Sequence, residues 1–161
     1  MANSAKRGEE DRSSAVKKFG FAIGLVIVAI VGILLFTGDV ATVVDEESVS
    51  ATGTFAGATT VKFDDIEEIS LESGIDRGKK SFGVDSMKLN AGKFRNDEFG
   101  VYNLYAYVDT DVYVVIKYND EEGEEKYMVV NQEDEKSTHE FYDEVCDAIL
   151  THDPDFDGIK E

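Results

Sequence analysis

The chain has 161 residues, of which 34 are acidic and 16 are basic, so its formal net charge is −18. A surface of this sign repels nucleic acid, which argues against a DNA- or RNA-binding protein. Cys146 is the single cysteine, so no disulfide can form within the chain.

An uncharged apolar stretch covers residues 19–36. Thirteen of its eighteen residues are Leu, Ile, Val or Phe, and the rest are Gly or Ala. As a helix rising about 1.5 Å per residue it would be roughly 27 Å long, close to the hydrocarbon thickness of a bilayer. We therefore predict a transmembrane helix over residues 19–37, with the lipid bilayer as its partner. The alternative is a buried helix in the core of a soluble domain.

The charges on either side of this stretch predict its orientation. Five cations precede it, and the first cation after it is Lys62. Because positive charge is retained in the cytoplasm, residues 1–18 are predicted to be a cytoplasmic tail and the remainder to lie outside the cytoplasmic membrane. A cleaved signal peptide is the alternative, but a cut after Ala41 would place Asp39 where a small residue is needed. The pattern favours an uncleaved signal anchor, followed by a linker over residues 38–46.

Beyond the linker, apolar and polar residues alternate with a period of two, which predicts a mainly β domain over residues 47–151. Asp109, Thr110 and Asp111 are expected to form a turn between two neighbouring strands, and the acidic residues 120–125 to form a solvated hairpin loop. The expected strands lie near residues 48–52, 59–63, 66–71, 84–89, 101–108, 112–118 and 126–131.

The period changes after residue 131. Phe141, Val145 and Ile149 recur every four residues, which predicts an amphipathic helix packed on the sheet. Its start is open between Ser137, which has the capping-box spacing with Glu140, and Asp134. Residues 152–161 follow as an acidic tail.

Six segments of the β domain and its helix follow one another in a defined order and spacing: VKFDDIEEISL (61–71), LNAGKF (89–94), FGVYNLYAY (99–107), VYVVIK (112–117), YMVVN (127–131) and HEFYDEV (139–145). Together they resemble the bacterial PH-domain family found in small membrane-anchored proteins. The resemblance implies a PH-like half-open barrel of about seven antiparallel strands with a C-terminal α-helix, and it implies little about activity.

A basic cluster interrupts the acidic domain between residues 77 and 95. Its local charge is 6 − 1 = +5, whereas residues 45–161 together carry 11 − 30 = −19. This asymmetry predicts a site for an anion or a partner, or a face held against lipid headgroups near the anchor. The alternative is that the cations pair with surrounding carboxylates. PH domains that bind phosphoinositides carry cations in the first loop, and residues 53–57 have none. The six cations are Arg77, Lys79, Lys80, Lys88, Lys93 and Arg95, and the one acidic residue among them is Asp85.

The acidic tail resembles the opening of a calcium loop. Asp153, Asp155 and Asp157 alternate before Gly158, as carboxylates do around a hard cation. Such a loop has a bidentate glutamate at its twelfth position, whereas Glu161 is at the ninth. The three aspartates are therefore weak candidates, and no metal is assigned.

No residue pattern typical of catalysis is present: the sequence has no HExxH, GxSxG, CxxC or phosphate-binding glycine loop. We therefore expect a non-enzymatic protein without a cofactor. The expected function is that of a membrane-tethered interaction or scaffolding module outside the cytoplasmic membrane, with a membrane or envelope protein as partner and a homo-oligomer as a further option. The alternative is a receptor domain for a small anion or Ca²⁺.

Overall fold

The computed structural model describes residues 38–160. The predicted cytoplasmic tail and the predicted transmembrane anchor, residues 1–37, lie outside the described residues. Across residues 38–160, no helix combines the length and the apolar character that crossing a bilayer would require.

The described part of the chain is mainly β, with ten strands and one α-helix. Three strands form one sheet, in the order β1-β2-β3, and seven form another, in the order β10-β4-β8-β9-β7-β6-β5. Neither sheet closes into a barrel. The elements are β1 (Val40–Val44), β2 (Ser48–Gly53), β3 (Gly57–Lys62), β4 (Ile66–Ser73), β5 (Lys79–Asp85), β6 (Leu89–Asn96), β7 (Gly100–Tyr107), β8 (Val112–Asn119), β9 (Glu125–Val130), α1 (Glu135–His152) and β10 (Ile159–Lys160).

The prediction of a mainly β domain with a C-terminal helix is confirmed, but its details differ. The structure has two parallel neighbours, β7 with β9 and β10 with β4, where the resemblance implied antiparallel strands throughout. The predicted linker contains β1, whose Val40 is buried and which pairs with β2 along its whole length. The predicted tail contains β10, and the N–H of Ile69 donates to the carbonyl of Gly158 at 2.9 Å.

Strand β9 separates β7 from β8, although only residues 108–111 connect these two strands. Val129 of β9 is opposite Leu104 of β7 on one side and Val115 of β8 on the other. The predicted turn at 109–111 is therefore a wider connection that crosses over the end of β9.

Asn131, which follows β9, holds this connection together and is fully buried. Its Oδ1 accepts the N–H of Tyr107 at 2.6 Å, and its Nδ2 donates to the carbonyls of Tyr107 at 3.1 Å and Thr110 at 2.9 Å. Thr110 Oγ1 in turn donates to the carbonyl of Glu133 at 3.0 Å. A buried side chain thus satisfies backbone groups that have left the regular ladder.

The single strand predicted at residues 84–89 is wrong: Val84 and Asp85 end β5, residues 86–88 form the turn of the β5–β6 hairpin, and Leu89 begins β6. Ser86 Oγ accepts the N–H of Leu89 at 3.0 Å and donates to the Leu89 carbonyl at 3.0 Å. Gly83 and Gly92 face each other across this hairpin with φ of 113° and 125°. A Cβ on Gly92 would lie 2.3 Å from the carbonyl oxygen of Phe82, so the two backbones approach too closely for a side chain.

Both faces of the large sheet are buried in its central part. One face packs against α1 and the small sheet, where Tyr105 and Ile116 meet Phe141. The other face holds Tyr102, Leu104 and related side chains. It is covered by residues 74–78, which cross from β4 to β5, and the Tyr102 hydroxyl donates to the carbonyl of Arg77 at 2.9 Å. Because the crossing covers this second face, β7 carries apolar side chains on both of its faces, Tyr102 and Leu104 on one and Tyr105 and Tyr107 on the other.

Helix α1 begins after Asp134, one of the two starts that the sequence left open. Asp134 Oδ1 accepts the N–H of Ser137 at 2.7 Å, as an N-cap does. The predicted apolar face is confirmed, since Phe141, Val145 and Ile149 are all buried in the main core.

The C-terminal end of α1 is joined to the turn that follows β3. His152 Nε2 lies 2.9 Å from Asp64 Oδ1, and the His152 ring meets Phe63 edge-on with centroids 5.7 Å apart. The hydrogen bond to Asp64 raises the pKa of His152 above its usual value.

We expect Asp64→Asn to lower the pKa of His152, measured as the NMR titration midpoint of its ring protons. Because the folded pKa is raised, the charged pair stabilises the fold below about pH 6.5, and this contribution is lost as pH rises through the folded pKa. Asp65→Asn is the matched control and should leave the midpoint of His152 in place. A midpoint unaffected by Asp64→Asn would show that the contact does not form in solution.

Candidate functional site

The six predicted cations do not form one cluster. The strand register brings three of them to the same face of the β5–β6 hairpin. Lys79 of β5 is opposite Arg95 of β6, and Lys93 lies two residues before Arg95 on β6. Lys80 is opposite the buried Phe94 and therefore lies on the other face of the strand. All four side chains are exposed.

Arg77 and Lys88 lie elsewhere. Arg77 is in the segment that crosses the second face of the sheet, where its Nη1 is 2.6 Å from the amide of Asn90 when that amide is oriented to accept. In that orientation Asn90 also donates to Asp85 Oδ1 at 2.7 Å, so the one acidic residue of the cluster is engaged away from the lysines. Lys88 lies over the ring of Tyr107, with its Nζ 5.5 Å from the ring centroid.

Tyr107 itself anchors the start of the small sheet. Its hydroxyl donates to Asp39 Oδ1 and accepts the N–H of Val40 at 3.3 Å. Burial, and then the hydrogen bond to Asp39, raises the pKa of Tyr107 to about 12, so the phenol stays neutral. Lys88 therefore belongs to a structural contact at the opposite end of the hairpin from Lys79 and Arg95.

Within residues 38–160, the four exposed cations Lys79, Lys80, Lys93 and Arg95 form no salt bridge within 4.0 Å. Three other lysines in that range do form salt bridges: Lys117 contacts Glu67 and Glu125 at 3.2 and 2.8 Å, Lys126 contacts Glu124 at 2.7 Å, and Lys136 contacts Glu140 at 2.7 Å. Within the same range Lys62 and Lys160 form none, so what distinguishes the four cations is that they lie together on one hairpin. The expectation that the cluster is neutralised by surrounding carboxylates thus finds no support in the described part of the chain.

Exposed apolar side chains accompany these cations. Phe82 of β5 is opposite Lys93 and is 64% exposed, and Val101 of β7 is opposite Arg95 and is 50% exposed. This face extends the one that packs against α1 and the small sheet, but those elements do not cover it here. We call the set Lys79, Phe82, Lys93, Arg95 and Val101 the basic surface.

The sequence identified the cations of the basic surface but missed Phe82 and Val101. Val101 was assigned to a strand, whereas Phe82 fell in a stretch interpreted as irregular. The register shift between Lys80 and Phe82 brings Phe82 to the face that carries Lys79. A strict alternation from Lys79 would have placed it on the opposite face.

A small cleft adjoins the basic surface, with a cavity volume of about 280 Å³. Lys93 and Val101 line one side of it, and Lys126 and Tyr118 line the other. Lys126 is already bound to Glu124 at 2.7 Å and Asp120 at 3.4 Å, which raises its pKa, and the Tyr118 hydroxyl is hydrogen bonded to Asn103. Lys93 is therefore the cation of this cleft that is available to a ligand.

Strand β5 is the last strand of the large sheet, and within residues 38–160 it pairs with β6 alone. Its first four residues are exposed. One row of backbone N–H and C=O groups thus faces outward beside the basic surface.

The aspartates of the tail do not come together as a metal site. Asp153 Oδ1 accepts the N–H of Asp155 at 3.1 Å, and β10 then carries the tail onto β4. Among the described residues, no three His, Cys, Asp or Glu side chains are grouped in a way that could hold a metal ion.

A larger open cleft of about 720 Å³ lies between the β1–β2 turn and the end of α1. Asp45, Asp147 and His152 are among its lining residues. Thr151 also lines the cleft, and its hydroxyl donates to the carbonyl of Asp147 at 2.8 Å. Cys146 is buried, and burial raises the pKa of its thiol. Neither the Thr151 hydroxyl nor the Cys146 thiol is therefore activated as a nucleophile.

No protein-family model, curated protein or solved structure gives a significant match to this chain.

Proposed function

We propose that this protein is a membrane-tethered, non-enzymatic interaction module whose β domain is exposed outside the cytoplasmic membrane. The basic surface is the observation that carries this proposal. It combines cations without carboxylate partners and two exposed apolar side chains, on a domain whose remaining surface is strongly acidic.

The composition of the basic surface suits protein recognition. An exposed aromatic residue and an arginine are the residue types that contribute most to interface energy. Cations on an acidic domain also steer an acidic partner toward one orientation, because every other approach is repelled. The partner we propose is accordingly a membrane or envelope protein that presents acidic groups.

The tether rests on residues 19–37, and the position outside the membrane rests on the cations that precede them. The PH-like assignment is supported by the general plan of two packed sheets and a C-terminal helix. The insertion of β9 between β7 and β8 departs from the antiparallel barrel that the resemblance implies. The proposal depends on the basic surface and not on the family.

The cleft beside Lys93 favours a second function, that of a receptor for a small anion. Calorimetry with sulfate and phosphate separates the two functions: Lys93→Ala should abolish the heat of binding if the cleft is an anion site. Calcium binding has less support, because the tail uses the Asp153 carboxylate for its own turn.

We expect site-specific photo-crosslinking in intact membranes to identify the docking face. A photoreactive phenylalanine at position 82 or 101 of the full-length chain should give one discrete adduct with a membrane or envelope protein. The matched control is position 43, because Val43 is 60% exposed on the small sheet. Equal adducts from all three positions would contradict the proposal, as would none from 82 and 101. Protease digestion of the domain on intact cells tests its location.

A further inference from the structure

We infer that the outer edge of β5 binds an extended acidic segment of the partner, which adds to the large sheet as an eighth strand. The inference rests on the proposed function and names both the surface and the class of ligand. Three features of β5 together carry it: an open strand edge, cations on both faces of the strand, and an exposed phenylalanine two residues after Lys80.

Backbone hydrogen bonds at the open edge contribute binding energy that does not depend on the sequence of the ligand. Backbone groups of an added segment pair with the outward N–H and C=O groups of β5, as in other cases of strand addition. Lysine on an edge strand and a bulge such as the one between Lys80 and Phe82 usually prevent unspecific pairing. The same lysines attract a strand that carries carboxylates, so they select a ligand as well as exclude others.

The positions of the cations indicate where those carboxylates should lie. An added strand would run about 4.8 Å from β5, with side chains on both faces of the sheet. On one face, the side chains of the added strand would lie beside Lys79 and Phe82 of β5, and Arg95 would lie on the next strand, β6. On the other face they would meet Lys80. We therefore expect acidic residues on both faces of the ligand strand and an apolar residue opposite Phe82.

A second copy of this chain fits the edge less well than an acidic partner does. In an antiparallel two-fold pair, a second β5 would add two more lysines to the shared edge and one carboxylate, that of Asp85. The two basic surfaces would then repel each other, since only Asp85 on each strand could offset them.

The test uses the full chain in a nonionic detergent and a fluorescent ten-residue peptide that repeats Glu-Glu-Val-Val, so that each face of the strand carries both glutamate and valine. Fluorescence anisotropy at low salt should show binding of this peptide, and an uncharged counterpart with Gln in place of Glu should bind at least tenfold more weakly. A peptide N-methylated at every residue should bind at least tenfold more weakly, because neither edge of its backbone can donate to β5.

The double variant K79E/K80E should weaken binding of the Glu–Val peptide by tenfold or more. The matched control K62E/K136E changes the net charge equally at exposed sites far from β5 and should bind as the wild type does. Equal urea midpoints of the two variants establish that both are folded.

Three results would overturn the inference. An N-methylated peptide that binds as well as the parent would show attraction of charge without strand addition. Binding confined to phosphatidylglycerol vesicles would make the surface a lipid site. Dimerisation that K79E/K80E abolishes would make the edge a self-association site. If the adducts from positions 82 and 101 persist in any of these cases, the proposed function survives and only the edge is excluded.

Discussion

Replacing Asn131 with leucine is expected to lower the free energy of unfolding by about 3 kcal/mol or more. The amide satisfies three backbone groups in the connection between β7 and β8, namely the N–H and C=O of Tyr107 and the C=O of Thr110. Each polar group left buried without a partner costs about 1–3 kcal/mol. Leucine has a similar size, so the loss would come from the hydrogen bonds and not from a cavity. Urea denaturation followed by tyrosine fluorescence measures it.

Asn119→Leu is the control for this change. Asn119 is a half-exposed residue near the end of β8, and its Nδ2 donates to Glu67 Oε1 at 2.7 Å. Water can replace that bond, so we expect a loss below about 1 kcal/mol. If Asn131→Leu were no more harmful than Asn119→Leu, the insertion of β9 would be stabilised by packing alone.

The second large effect is expected at the glycine pair of the β5–β6 hairpin. Gly92→Ala should lower the free energy of unfolding by about 3 kcal/mol and detach β5 from β6. Alanine would be strained at a φ of 125°, at a cost of about 1–3 kcal/mol. Its Cβ would also lie 2.3 Å from the Phe82 carbonyl oxygen, and this atom belongs to backbone that cannot rotate away. Hydrogen exchange of the β5 amides reports the detachment directly.

Gly123→Ala separates backbone strain from steric clash as causes of the loss expected for Gly92→Ala. Gly123 also has a positive φ, of 76°, but nothing lies within 4 Å of its Cβ position. Its substitution should therefore cost about 1 kcal/mol from backbone strain alone. Protection of β5 that survives Gly92→Ala would mean that the hairpin tolerates a wider separation of its strands than the structure shows.

The sequence predicts the central strands well because their alternation is long and regular. Within each strand the alternation is as expected: Tyr102 and Leu104 share one face of β7, and Val114 and Ile116 share one face of β8. That these two pairs lie on opposite faces of the sheet follows from the structure. The β5–β6 hairpin was missed because its turn contains Ser86 and Met87 and lacks the glycine or asparagine that usually marks a tight turn.

The position of β9 could not be predicted from the sequence, since a four-residue connection normally joins neighbouring strands. The hydrogen bonds of Asn131 make the exception possible, and a single asparagine gives no periodic signal. The basic surface was predicted in composition but not in arrangement. The strand register and the bulge in β5 decide which face of the hairpin each of the six predicted cations occupies. Both depend on pairing along the whole hairpin, which the sequence does not show.

The short strand β10 has a consequence for which end of the large sheet suits an added strand. It lies beside β4 at one end of the large sheet, and Gly158 comes so close to Glu67 that a side chain there would collide with the backbone. Strand β10 pairs with two of the eight residues of β4 and leaves only a two-residue edge of its own. A strand that added at this end of the sheet would therefore meet a much shorter regular edge than the one that β5 offers.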